Sequence, residues 1–359
     1  MDLDTLLVLL VQVKGSDLHL CPGEPPIMRV QRVIRRTRFD EMTAAEIGHL
    51  VRRVAGEERW SRFQRDLELD MAYVVLGTGR FRVNVYVDRG RVAACFHYIP
   101  QMIQTIDELG LPPVLKQIAL APRGIVLVTG PTGSGKSTTL AAMIGHINEH
   151  RPVHIVTIED PVEFIHEPRM AAINQREIGV DTHSFAEALR HVMRQNPDVI
   201  LVGEMRDLET IQLAITAGET GHLVFSTLHT LDAAQTIDRV VDIFEPERQE
   251  QVRAQLSITL QAVICQDLVA KADGTGLTVA CEIMVMTPGI RNLIRERKTH
   301  QIHSLIQDGG DVGMQTLDQH LLTLYQSGVI AAEDALARAS DPQEFRFRAK
   351  IPLTGQEAA

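Results

Sequence analysis

The stretch Gly130-Pro131-Thr132-Gly133-Ser134-Gly135-Lys136-Ser137-Thr138 satisfies the pattern G-x-x-x-x-G-K-[ST]. It follows an apolar run at 125–128 and opens a helix-compatible run at 138–147. A phosphate-binding loop needs that setting. Its glycines let successive N–H groups turn toward a polyphosphate, and the helix N-terminus adds about half a positive charge. In this reading Lys136 neutralises the β- and γ-phosphates and the Ser137 hydroxyl holds Mg²⁺. Gly130, Thr132, Gly133, Ser134, Gly135 and Thr138 complete the cradle. The expected ligands are ATP or a related nucleotide, and Mg²⁺.

Hydrolysis would also need a group that orients water and positive charge on the transferred phosphoryl, so carboxylates at strand ends matter next. The apolar stretch 155–158 runs into Glu159, Asp160, Pro161, Val162 and Glu163, and 198–202 runs into Gly203 and Glu204, where a Walker-B acid belongs. Either stretch alone also fits a solvated loop. Two acid-tipped strands behind one phosphate loop favour Mg²⁺-dependent catalysis. His222 and His229 bracket 223–226, a strand expected beside the one feeding the loop. They read as γ-phosphate sensors or as satisfied structural histidines, and no third ligand shares their spacing. Arg80, Arg82, Arg89 and Arg91 crowd one set of strands, while Arg190 and Arg194 stand four apart on an expected helix. These are surface charges, or one of them reaches a γ-phosphate across a subunit boundary.

The elements that must position these groups follow from pattern. With 359 residues the chain is long enough for two domains, each burying its own core. The hydrophobic fraction is 45% but aromatics are only 4%, which implies aliphatic cores of the kind parallel sheets have. A net charge of −10 argues against broad attraction to nucleic acid. Cys21, Cys95, Cys265 and Cys281 are scattered without C-x-x-C spacing, which suggests neither a zinc site nor a disulfide framework and fits a reducing cytoplasm. The apolar run 6–11 is too short to span a bilayer and reads as a core helix.

A helix over 2–13, strands at 16–20 and 27–30, and a helix opened by the capping-box spacing of Thr43 and Glu46 come first. Strands at 72–76, 81–87 and 91–96 then predict an α+β domain with an antiparallel sheet over 1–97. Residues 98–112 read as a linker, broken at Pro112 and Pro113. From 113 to 350, apolar runs at 125–128, 153–158, 199–202 and 223–226 alternate with helical patterns, predicting a mainly parallel sheet covered on both faces. Residues 351–359 read as a flexible tail.

With these motifs in place, the sequence resembles the secretion-type hexameric ATPases, and among them the PilT-like retraction ATPases of bacterial type IV pili. The resemblance runs from Gly15-Ser16-Asp17-Leu18-His19-Leu20 to Gly313-Met314-Gln315-Thr316-Leu317-Asp318. It rests on the phosphate loop, an "Asp box" at 157–164, a Walker-B stretch ending Gly203-Glu204-Met205-Arg206-Asp207, and a "His box" from Thr220-Gly221-His222 to Leu228-His229-Thr230. It implies an α/β protein in which a PAS-like α+β domain precedes a RecA-like P-loop ATPase domain. It also implies that Glu163 is the general base, that Glu204 helps hold Mg²⁺, that Glu159 and Asp160 shape the pocket, and that both histidines sense the γ-phosphate. Arg82 matches a family arginine that faces nucleotide. The implied assembly is a homohexamer on the cytoplasmic side of the inner membrane at the pilus base. There its domain movements drive a membrane platform protein and the pilus assembly machinery, with no direct nucleic-acid contact and no membrane span of its own.

Gly289-Ile290-Arg291-Asn292-Leu293-Ile294-Arg295-Glu296 resembles the family's "AIRNLIRE" retraction motif, with Gly289 in place of Ala. The extension ATPases of these systems usually carry a four-cysteine zinc motif, so retraction is the expected role. A pilus extension or type II secretion ATPase, a nucleic-acid translocase and a nucleotide-gated scaffold are the alternatives. One departure stands out. The family's second nucleotide-facing arginine is His97 here, within Phe96-His97-Tyr98-Ile99-Pro100, and either Arg89 or Arg91 compensates or nucleotide closure is weaker or pH-sensitive.

Overall fold

The computed structural model describes residues 2–30, 33–99 and 102–351. They form two compact units, one of Met1–Met102 with Pro161–Ile165 and one of Ile103–Asp160 with His166–Ala359. The expected tail lies outside the described residues from 352 on, as does Pro100.

In the first unit, α1 (Leu3–Gln12) buries Leu3, Leu6, Leu7 and Leu10, the spacing of one helix face. The strands β1 (Gly15–Leu20), β2 (Ile27–Val30) and β3 (Val33–Arg36) come next, then α2 (Ala44–Asp66), then β4 (Glu68–Val75), β5 (Gly79–Asp88) and β6 (Arg91–Ile99). The capping box at Thr43 forms: its hydroxyl accepts the Glu46 N–H, and the Glu46 carboxylate accepts the Thr43 N–H. Gly56 interrupts α2 at φ 76°, a backbone state that other residues enter at a cost. The sheet order is β3-β2-β1-β6-β5-β4, antiparallel throughout. Alternation puts Leu18, Leu20, Val83, Val85, Ala94 and Phe96 into the core beneath the helices. Asp17, His19, Arg82, Asn84, Cys95 and His97 take the alternate positions, on the opposite face. β6 continues through His97 and Tyr98 to Ile99, so the sheet enters the stretch expected to be linker.

The second unit opens with Ile106 and Leu111, also from that stretch and both buried in its core. Its elements are α3 (Val114–Ala119), β7 (Gly124–Thr129), α4 (Lys136–His150), β8 (His154–Glu159), β9 (Ala172–Glu177), α5 (Phe185–Val192), β10 (Val199–Val202), α6 (Leu208–Glu219), β11 (Leu223–Leu228), α7 (Ala233–Asp242), α8 (Pro246–Thr259), β12 (Leu260–Ala270) and β13 (Leu277–Val285). After these come α9 (Pro288–Arg295), α10 (Ile302–Asp308), α11 (Leu317–Gln326), α12 (Ala332–Leu336) and α13 (Pro342–Ala349). The sheet order is β13-β12-β7-β11-β10-β8-β9, parallel except for the β12–β13 pair.

Both faces of this sheet are covered, which is why its central strands are unbroken aliphatic runs. Ile125, Leu127, Ile200 and Val202 face one core, packed with residues of α5 to α9. Val126, Val128, Val199 and Leu201 face the other, with residues of α3 and α4. Helix α9 buries Ile290 and Ile294, as the apolar side of the retraction-like motif requires. Its Arg291 guanidinium donates to the carbonyls of Ser257 and Ile258, closing the end of α8. No helix among the described residues is long and apolar enough to cross a membrane.

Candidate active site

The six residues of β7 are all buried, and the chain leaves their carboxyl end directly into the Gly-rich loop. Gly130, Gly133 and Gly135 adopt φ of 136°, 79° and 87°. At Gly130 this is obligatory, because a Cβ there would lie 2.2 Å from the Gln266 carbonyl oxygen of the neighbouring β12. Lys136 folds back over the loop, its ammonium donating to the carbonyls of Gly130 (2.8 Å) and Pro131 (2.9 Å). Ser137 is exposed at the first turn of α4, where a hydroxyl meets a metal-bound phosphate. Gln266 Nε2 donates to the Ser134 carbonyl at 2.6 Å and ties the loop to β12. Ser134 Oγ and Gln266 Oε1 are buried without a hydrogen-bond partner. Curled glycines, a cation, a free hydroxyl and unsatisfied buried polar atoms together fit a polyphosphate with its Mg²⁺.

The acids follow from the sheet order. β11 lies beside β7, β10 beside β11, and β8 beside β10, so Glu204 and Glu159 sit at the carboxyl edge where ligands of open α/β sheets bind. Glu204 Oε1 accepts from Arg206 Nε at 2.7 Å and lies 2.9 Å from His229 Nε2. Burial pushes its carboxyl up, but the Arg206 hydrogen bond and charge, together with His229, hold it below the ordinary carboxylate value. Glu159 accepts from the Thr157 hydroxyl at 2.6 Å and from Gln175 Nε2 at 3.2 Å, so it is locked to its own strand and to β9. Glu163 belongs to the Pro161–Ile165 segment that groups with the first unit, and there Arg82 Nη1 stands 3.7 Å from its Oε1.

The two histidines are not brought together. His229 follows β11 at the loop end of the sheet, whereas His222 precedes it, roughly 20 Å away at the rise of a strand. The His222 Nδ1–H donates to the Ala217 carbonyl at 3.0 Å near the end of α6, and its own carbonyl accepts the Gly124 N–H. A shared γ-phosphate for both is therefore excluded within one chain, and the contacts of His222 are those of a residue that holds the end of α6. Arg190 lies in α5 and pairs with Glu209, but Arg194 falls beyond the helix end, so the two share no helix face. Arg89 sits in the β5–β6 turn and Arg91 pairs with Asp88 beside it, while His97 pairs with Arg82 near the other end of the strands. Within one chain, neither arginine replaces the one that His97 displaces. No sequence feature marks Gln266 as a loop partner, and Arg206 stands in the Walker-B stretch with no role of its own. A polar pair, Gln266 and Asp267, inside an apolar run only sets the first apart from its neighbours.

A Gly-rich loop between a buried parallel strand and a helix, with acids on the adjoining strand ends, defines a P-loop nucleotide-binding protein. The chain belongs to the type II/IV secretion system protein family, whose family model matches residues 104–335. It is 50% identical to the type IV pilus retraction ATPase PilT of Pseudomonas aeruginosa, over 96% of this chain and 100% of that one. It is also 50% identical to a twitching motility protein of Neisseria gonorrhoeae, over 90% and 86% of the two chains. Among solved structures, the pilus retraction motor PilT with bound ADP superposes with a TM-score of 0.87 at 44% identity, covering 96% of this chain and 98% of that one. The Legionella pneumophila ATPase DotB superposes at 0.79 with 27% identity, covering 92% and 93%.

Proposed function

We propose that this chain is the ATP-hydrolysing motor of type IV pilus retraction and so serves twitching motility. The observation that carries the reading is 50% identity to a pilus retraction ATPase over 96% of this chain and the whole of that one. The second unit is then RecA-like and the first, a helix-covered antiparallel sheet, PAS-like, with the boundary between Ile99, where β6 ends, and Ile106, which is already buried in the second core.

In this reading Gly130, Thr132, Gly133, Ser134, Gly135 and Thr138 line the phosphates. Lys136 exchanges two backbone carbonyls for phosphate oxygens, and Ser137 and Glu204 hold Mg²⁺. The ion, when bound, supplies Lewis-acid charge to the phosphoryl group. Glu163 takes the proton of the attacking water. His229, through Glu204, reports on the γ-phosphate, and Arg82 adds positive charge. Six copies form the ring. Nucleotide-driven changes in each subunit drive a platform protein from the cytoplasmic face of the inner membrane at the pilus base.

Deletion in the source bacterium tests the role. Surface pili in excess without twitching support retraction, whereas loss of pili points to extension. Phosphate release by the purified protein tests the chemistry, and ATPase stimulation by DNA would revive the translocase alternative.

A further inference from the structure

In the first unit, antiparallel register pairs Asp17 with His97 and His19 with Cys95, so these side chains form a two-by-two array on the sheet face opposite the core. We infer that Asp17, His19 and Cys95 form a binding site for a thiophilic divalent metal ion, Zn²⁺ foremost, with water at the fourth position. A carboxylate oxygen, an imidazole nitrogen and the thiol sulfur lie within 4.8 Å of one another, and all three residues are half-buried. Donors around a tetrahedral Zn²⁺ are about 3.3–3.8 Å apart at its usual bond lengths, so side-chain rotation of about an ångström closes the set.

A further observation points to a ligand. His19 Nε2 is buried and has no hydrogen-bond partner, an arrangement that costs free energy unless something occupies it. The Asp17 carboxylate is ionised, held at about 2: burial pushes it up, and hydrogen bonds from His97 and Ser16 bring it down further. Its present partners are Ser16 Oγ at 2.7 Å, His97 Nδ1 at 2.9 Å and Arg29 Nε at 3.2 Å, and an entering ion takes one oxygen from this set. Burial raises the Cys95 thiol to about 11, so metal binding releases its proton.

The mixed sulfur, nitrogen and oxygen set selects Zn²⁺ or Co²⁺ over Mg²⁺ and Ca²⁺, which take oxygen alone. That preference distinguishes the ion from the Mg²⁺ expected at the phosphate loop, although the site shares its sheet face with Arg82 and His97. Its ligands meet across two strands rather than along one, so no sequence spacing marks them.

The test is Co²⁺ titration of untagged, chelator-treated full-length protein, followed by Zn²⁺ competition. One equivalent of Co²⁺ should give a thiolate-to-metal charge-transfer band that Zn²⁺ abolishes, which the sulfur-free nucleotide site cannot produce. Cys95→Ser should remove the band. His19→Gln should weaken Co²⁺ binding at least tenfold, the lower bound seen even for outer-shell partners. Zn²⁺ should raise the melting temperature of the unaltered protein but not of Cys95→Ser. A wild-type protein with neither the band nor the Zn²⁺-dependent rise overturns the assignment, and so does a band that survives in Cys95→Ser.

Discussion

His229 Nε2 lies 2.9 Å from Glu204 Oε1, and the same oxygen accepts from Arg206 Nε. A histidine at the end of β11 thus orients the acid at the end of β10, on strands that run in register from Val199–Leu223 to Val202–Ser226. Removal of an orienting group behind a metal-holding carboxylate costs roughly 10–100-fold in activity. His229→Ala should therefore lower kcat by that range with a small change in KM for ATP. His222→Ala should leave kcat nearly unchanged and lower the melting temperature, because its ring serves the end of α6. Steady-state kinetics of the two variants side by side would decide; equal losses of kcat would refute the division of roles.

The phosphate loop and the proposed base separate binding from chemistry. Lys136→Ala should weaken nucleotide binding, because the ammonium at the loop mouth is lost. Glu163→Gln should bind ATP normally and lose roughly 10²–10⁴-fold in hydrolysis, the usual contribution of a general base. Fluorescent-nucleotide binding and phosphate release measure the two terms. Wild-type turnover in Glu163→Gln would move the base to another carboxylate.

The parts legible in the sequence were those whose pattern is local. The phosphate loop, the capping box at Thr43 and the central strand β10 announce themselves through spacing or through uninterrupted aliphatic runs. β3 and β9 did not, because edge strands have exposed or polar positions: all four residues of β3 are exposed, and β9 reads Ala-Ile-Asn-Gln-Arg-Glu. β12 was hidden because it follows α8 with no glycine or proline between them. The different surroundings of His222 and His229 were not legible for a related reason. Two histidines at the ends of one strand look adjacent in sequence, yet the strand length holds them apart.

Gly130 and Gln266 test how the sheet holds the loop. A methyl group at residue 130 would meet the Gln266 carbonyl at 2.2 Å, a backbone atom that cannot yield without moving β12. Gly130→Ala should abolish nucleotide binding and lower stability. Gln266→Ala removes a buried 2.6 Å bond to the Ser134 carbonyl and leaves that acceptor unsatisfied, a loss of about 1–3 kcal/mol. Its ATP affinity should fall while the fold persists. Calorimetric titration with ATP and thermal melting would separate these outcomes, and unchanged affinity in Gln266→Ala would show that the loop holds its shape without β12.

Glu282 on β13 gives the protein a pH-dependent term. Its carboxylate oxygen accepts the Ala233 N–H at 2.8 Å, at the start of α7. Burial, with the nearby charges of Asp232 and Asp318, pushes its pKa up to about 7 from an ordinary 4.5. The native carboxyl therefore keeps a proton that the unfolded chain releases between those values. The native state binds more protons in that window, so stability must fall as pH rises from about 4.5 to about 7 and level off above it. A shift of this size corresponds to about 3 kcal/mol. Glu282→Gln keeps an acceptor for Ala233 and cannot ionise, so it should match the wild type near pH 5 and exceed it at pH 8 by up to that amount. Urea unfolding at intervals from pH 5 to pH 8 reads the difference directly, and parallel curves for the two proteins would show that Glu282 does not titrate in this range.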